Sequence, residues 1–148
     1  MKRGARLAAV LFVSGLVVSP TALQGCFGGY TANYVQVKHS PQPVPDAARA
    51  TTMLLQATTY RTCETTVKID LDMILTTTRC PSHKNVRTQS LRLKHVTSIE
   101  IFHDRNASPE FFQYRLTAGP WFWHTMNVED ARQLANALHT LAREAQAR

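Results

Sequence analysis

Near the C-terminus the apolar residues Ala131, Leu134, Leu138, Leu141 and Ala145 fall at spacings of three and four. That period marks one face of an α-helix, and such a face needs a second apolar surface to cover. Asn127 stands just ahead of it with Asp130 three residues on, a pattern in which side-chain oxygens take up the free N–H groups of the first helical turn. Upstream the period changes. Val67, Ile69, Leu71 and Met73 alternate with Lys68, Asp70 and Asp72, which puts the apolar set on one side of a strand and the charges on the other. Two-sided strands followed by a one-sided helix imply an α+β domain. The expected form is a mostly antiparallel curved sheet, or a small roll or barrel, closed by the C-terminal amphipathic helix.

Other segments fill in this plan. Strands are expected over residues 88–94 and 96–103, the latter with Ile99 and Ile101 facing away from Ser98 and Glu100. Residues 111–117 and 121–126 read as a hairpin turning through Ala118-Gly119-Pro120. Residues 52–61 are rich in strand-favouring types and are read as a strand, although Pro45-Asp46 ahead of an alanine-containing run could open a helix. Residues 81–85 and 104–109 read as turns, and Asn106-Ala107-Ser108 matches a glycosylation sequon. Residues 27–45, ending in closely spaced prolines, are read as an extended tether, with a short edge strand over residues 34–37 as the alternative.

The N-terminus carries an address. Lys2, Arg3 and Arg6 precede an apolar run from Leu7 to Val18, about a dozen residues, the length of a signal-peptide core and too short for a membrane span. Ser19 and Pro20 end it, and Leu23-Gln24-Gly25-Cys26 follows. These residues resemble the lipobox of bacterial lipoprotein precursors. The resemblance implies cleavage before Cys26, acylation of its thiol, and a location in the cell envelope, with Phe27 in place of Asp favouring the outer membrane. A plain secretory signal would want a small-residue cleavage site, which Pro20-Thr21-Ala22 supplies poorly. The chain then divides into a signal peptide over residues 1–25, a lipidated tether over 26–45 and a single globular domain over 46–148. With Cys26 acylated in an exported protein, Cys63 and Cys80 remain as an even pair and are expected to form a disulfide. A straight strand from Val67 to Leu75 would span about 26 Å between them, so either both flanks fold back or the chain turns near Leu71-Asp72.

Removal of the first 25 residues takes away three basic and no acidic residues, leaving 14 Lys and Arg against 10 Asp and Glu. The basic residues are interspersed, without a dense run, which argues against nucleic-acid binding and suits weak attraction to anionic envelope components. Residues 91–141, with Leu-Arg-Leu-Lys-His-Val-Thr-Ser-Ile-Glu-Ile-Phe, an aromatic hairpin and a final alanine-rich helix, are similar in pattern to the pleckstrin-homology superfold. That likeness implies a sheet closed by a helix and no particular ligand.

Catalytic chemistry is poorly represented. The chain lacks G-x-S-x-G, S-x-x-K and H-E-x-x-H, and its six histidines fall at no zinc-ligand spacing. His103-Asp104 and the pair Asp70 and Asp72 are read as a polar turn and a solvated strand face. Trp121 and Trp123 share one side of a strand and Phe122 the other. The two tryptophans are the candidate binding surface if exposed, and core beneath the helix if not. Together these residues point to a non-enzymatic, membrane-anchored envelope lipoprotein that binds a protein partner or envelope polymer, with no cofactor, no metal and no catalytic residue. The alternatives are a carrier or sensor of a small apolar or anionic ligand and, less favoured, a hydrolase.

Overall fold

The computed structural model describes residues 30–148, so the signal segment and Cys26 lie outside the described residues. The order of elements is β1 (Tyr34–Val37), α1 (Ala47–Ala57), β2 (Glu64–Ile69), β3 (Met73–Cys80), β4 (Asn85–Arg92), β5 (Glu100–Asp104), β6 (Tyr114–Ala118), β7 (Trp121–Thr125) and α2 (Val128–Gln146). The strands form two antiparallel sheets, one in the order β1-β5-β6-β7 and one in the order β2-β3-β4. The class is α+β. The sheets are open and separate, so the expected roll or barrel is not formed.

Helix α2 organises the body. Asp130 N–H donates to Asn127 Oδ1 at 2.8 Å and Asn127 Nδ2 donates to Asp130 Oδ2 at 2.8 Å, the cap expected from the sequence. Its buried face is wider than the anticipated stripe, adding Ala135, Ala137 and Ala142, because the helix meets α1 on one side and β5, β6 and β7 on another. Opposite it lie Ile101, Leu116, Ala118, Trp121 and Trp123. The body from Ala32 to Arg148 is one compact unit and carries this core entirely within itself.

Residues 47–57, overlapping the expected strand, are the helix α1. Ala47, Thr51 and Leu55, spaced by four, are buried, and the hydroxyls of Thr52, Thr58 and Thr59 donate to the carbonyls of Ala48, Leu54 and Leu55. Threonine's poor intrinsic fit to a helix is offset by the apolar seat against α2.

Residues 34–45, assigned to a tether, belong to the folded body. Tyr34–Val37 is the edge strand of the larger sheet, paired with β5. The proline-rich stretch that follows is fastened across α2. His39 Nε2 lies 2.9 Å from Asn136 Oδ1, the Gln42 N–H donates to the same oxygen, and the Val44 N–H donates to Thr140 Oγ1.

The alternating run Val67 to Met73 bends, as the disulfide demanded. Asp70 and Met73 exchange backbone hydrogen bonds of 2.8 and 3.4 Å around Leu71-Asp72. Neither central residue adopts the positive φ usual in such turns, so support comes from outside. Asp70 Oδ1 accepts from the Leu71 N–H, and the Asp72 carbonyl accepts from the Leu93 N–H. At the far end of the hairpin the register Glu64 to Arg79 sets Cys63 opposite Cys80, with sulfurs 2.02 Å and Cα atoms 4.2 Å apart.

Between β6 and β7, Gly119 takes the left-handed position of a two-residue turn, at φ 59°. An added Cβ there meets nothing within 4 Å, so only backbone strain opposes it. We expect Gly119→Ala to lower the unfolding free energy by about 1 kcal/mol. Leu138→Ala, at the centre of the buried α2 face, should cost about 3 kcal/mol through lost burial and a cavity. Urea denaturation of the two variants checks the ranking.

Candidate functional site

Strand alternation gives the larger sheet two different faces. Trp121 and Trp123 point inward, 1% and 8% exposed, with rings stacked at 6.1 Å. Trp123 Nε1 donates to Thr58 Oγ1 at 2.7 Å. They are core, and the exposed tryptophan platform is therefore not the binding surface. The other face carries Tyr34, Phe102, Arg115, Phe122 and His124, the residues of opposite parity.

On that face Phe122 is the centre of a cation–aromatic cluster. The Arg115 guanidinium lies 4.4 Å from the Phe122 ring centroid and 5.6 Å from that of Tyr34. Arg87, from β4 of the smaller sheet, lies 4.2 Å from the same Phe122 ring. It arrives there because β4 runs beside the edge of β7, where Gln89 Oε1 accepts from the Phe122 N–H at 3.5 Å. Arg87 and Gln89, two residues apart, share a strand side. The rings continue outward: Phe122 and His124 at 5.5 Å, His124 and Phe112 at 6.3 Å, and Phe112 and Tyr60 at 4.4 Å. Tyr34 is 41% and Tyr60 52% exposed, so the cluster opens to solvent at both ends.

Its charge is predominantly positive. Lys94 lies 3.5 Å from Asp72 on the surface, and among the described residues neither Arg87 nor Arg115 forms an ion pair. Arg115 Nε is buried without a hydrogen-bond partner. Burial, reinforced by Arg115 and then Arg87 and partly opposed by Asp104, lowers the His124 pKa from 6.5 to about 4. His124 is thus neutral at neutral pH, and the positive charge of the face resides on the two arginines. Guanidiniums stacked on rings keep their planar donor forks oriented, an arrangement suited to carboxylate or phosphate oxygens.

The remaining candidates are structural. The Asp104 carboxylate accepts from the N–H groups of Asn33 and Asn106, and His103 stacks on Tyr114 at 4.8 Å. Asp70 holds its own turn, and Asp72 faces Lys94. Among the described residues no group of three His, Cys, Asp or Glu side chains converges as a metal site, and no helix is long and apolar enough to cross a membrane. Sequence reasoning missed Arg87, Arg115 and Phe122. The parity of Phe122 and His124 was readable, whereas the reach of Arg87 across from the other sheet depends on tertiary structure. No known protein family, characterised protein or solved structure matches this chain.

Two measurements test this site and its frame. Between pH 6.5 and about 4 the unfolded chain binds a proton at His124 that the folded chain refuses. Stability should therefore fall as pH drops through that window and level off beneath it. Because the ring is partly exposed, the loss is on the order of 1 kcal/mol. His124→Asn should flatten that portion of the profile in urea denaturation across the same range. Reducing Cys63–Cys80, which closes a loop with a sequence separation of 17, should cost about 3 kcal/mol. Denaturation with and without reductant reads it.

Proposed function

We propose that this chain is a lipid-anchored, non-enzymatic protein of the bacterial envelope that docks an anionic group on the outer face of its four-stranded sheet. One observation carries the docking: Arg87 and Arg115 are both held over Phe122, and neither has an ion-pair partner among the described residues. Burying or crowding like charges is unfavourable, so such a pair persists most readily where a partner supplies the counter-charge. Arginine with aromatic neighbours is also the composition enriched at recognition surfaces. The anchor is supported by the basic and apolar N-terminus and by Leu23-Gln24-Gly25-Cys26.

The carrier reading has less support. A cleft of about 280 Å³ between the Leu71 turn and the two helices is open, and its lining mixes Ile69 and Leu93 with Asp70, Glu144 and Arg148. That lining suits neither a purely apolar nor a purely anionic ligand. The likeness of residues 91–141 to the pleckstrin-homology superfold adds no ligand to the proposal.

Two measurements decide the two halves. The intact mass of the membrane fraction from the native host should show a chain beginning at acylated Cys26, and Cys26→Ala should abolish that species. An unacylated soluble product would end the anchor reading. Titration with inorganic phosphate, followed by NMR, should shift the Arg115 Nε–Hε signal and the Phe122 amide while leaving the Gly119 turn unmoved. No shift at those positions, or equal shifts across the molecule, would end the docking reading.

A further inference from the structure

We infer that the group docked on this face is the anionic headgroup layer of the very bilayer that holds the lipid anchor, so that the outer face of the four-stranded sheet lies toward the membrane. The inference rests on acylation of Cys26 and goes on to name the occupant.

The first argument is covalent reach. The sequence alone allowed a long, proline-rich tether, but the chain is already fixed well before Pro41. Asn33 N–H donates to Asp104 Oδ1 at 2.9 Å, and its carbonyl accepts from the Arg105 N–H at 2.9 Å. Seven links separate Cys26 from Asn33, at most about 25 Å of fully extended chain. A globule of the size of the folded body has a radius of gyration of about 13 Å, so it is wider than its tether is long. The part of the surface where the tether joins is held near the bilayer, and that part is the start of β1.

The second argument is what stands there. Tyr34, the first residue of β1, is itself one of the rings under Arg115. Exposed Arg105 adjoins the same junction through its backbone bond to Asn33. The face therefore offers guanidiniums at the attachment point, flanked by tyrosines, which favour the headgroup level of a membrane interface. Planar guanidinium forks match the oxygens of phosphodiesters, and each basic residue near an anionic surface contributes attraction. The exposed acid on this face, Glu100, accepts from Gln36 Nε2 at 3.2 Å in the row beyond Phe102. Asp104 is buried and takes up backbone N–H groups. The acyl chains supply retention, and the arginine face sets orientation, a division of labour between two membrane signals.

The test uses the chain from Phe27 onward, which retains the whole folded body and lacks the anchor. Its co-flotation with phosphatidylglycerol-containing vesicles is compared with that on pure phosphatidylcholine vesicles at low ionic strength. Binding is expected on the first and not on the second, and should weaken with added salt. The double substitution Arg87→Gln with Arg115→Gln should reduce partitioning about thirtyfold. The double substitution Arg79→Gln with Arg92→Gln removes the same charge from exposed positions on the smaller sheet and should have a clearly smaller effect. Unchanged tryptophan fluorescence verifies that each variant is folded, since Trp121 and Trp123 report the core. No binding to the anionic vesicles, equal binding to neutral ones, or equal losses from the two pairs would overturn the inference. Those outcomes leave the Cys26 mass and the phosphate titration untouched, so a failure here is distinguishable from failure of the anchor or of anion docking itself.

Discussion

Burial of the alanine-rich face of α2 is the contact on which the rest of the structure depends. Ala131, Ala135, Ala142 and Ala145 carry no side chain beyond Cβ, so neighbouring elements can approach the helix closely while Leu134, Leu138 and Leu141 fill the space between. The same helix touches α1 and the inner face of the larger sheet, and its more polar positions Asn136 and Thr140 fasten residues 39–44. Loss of this helix would release the edge strand, the segment after it and the lid over the tryptophans together. That arrangement makes the fold cooperative although its strands lie in two separate sheets.

The parts of this fold that were legible in the sequence are those in which local pattern and tertiary demand agree. The Asn127 cap, the α2 stripe and the Gly119 hairpin each follow from residues within a few positions of one another. Residues 52–57 were misread because the threonines around Thr52 speak for a strand locally, while the four-residue spacing of Ala47, Thr51 and Leu55 is meaningful only once α2 is there to receive it. The turn at Leu71-Asp72 was visible only as a conflict between a straight strand and a disulfide. Its supports, the Leu93 amide and Lys94, come from more distant positions in the chain and leave no local trace.

The candidate site shows the same division. Alternation assigns Trp121 and Trp123 to one face and Phe122 and His124 to the other, but alternation cannot say which face is covered. Tryptophan's size draws attention outward in a sequence, yet a sheet that must seat a helix uses its largest rings for the core. The face left over then holds the less conspicuous Phe122, and the facing strands set Phe102 and His124, rather than acids, directly opposite Arg115. Arg87 completes the cluster from another sheet, so no window along the chain contains it.

The two-residue period therefore separates stability from recognition within single strands. Leu116 and Trp123 can be held to strict packing while Arg115 and His124, their immediate neighbours in sequence, are constrained only by charge and by one another. This separation also explains why the arginine pair can be tolerated. The inner face provides the net stability, so the repulsion between Arg87 and Arg115, moderated by stacking on Phe122 and by the neutrality of His124, need only be a small debit against it. A protonated His124 would put a third positive charge into the cluster, and burial, reinforced by Arg115 and Arg87, holds its pKa down at about 4. A surface so arranged stays cationic without becoming more so over the neutral range, which is the electrostatic state an anionic layer would meet at a short tether's length from Asn33.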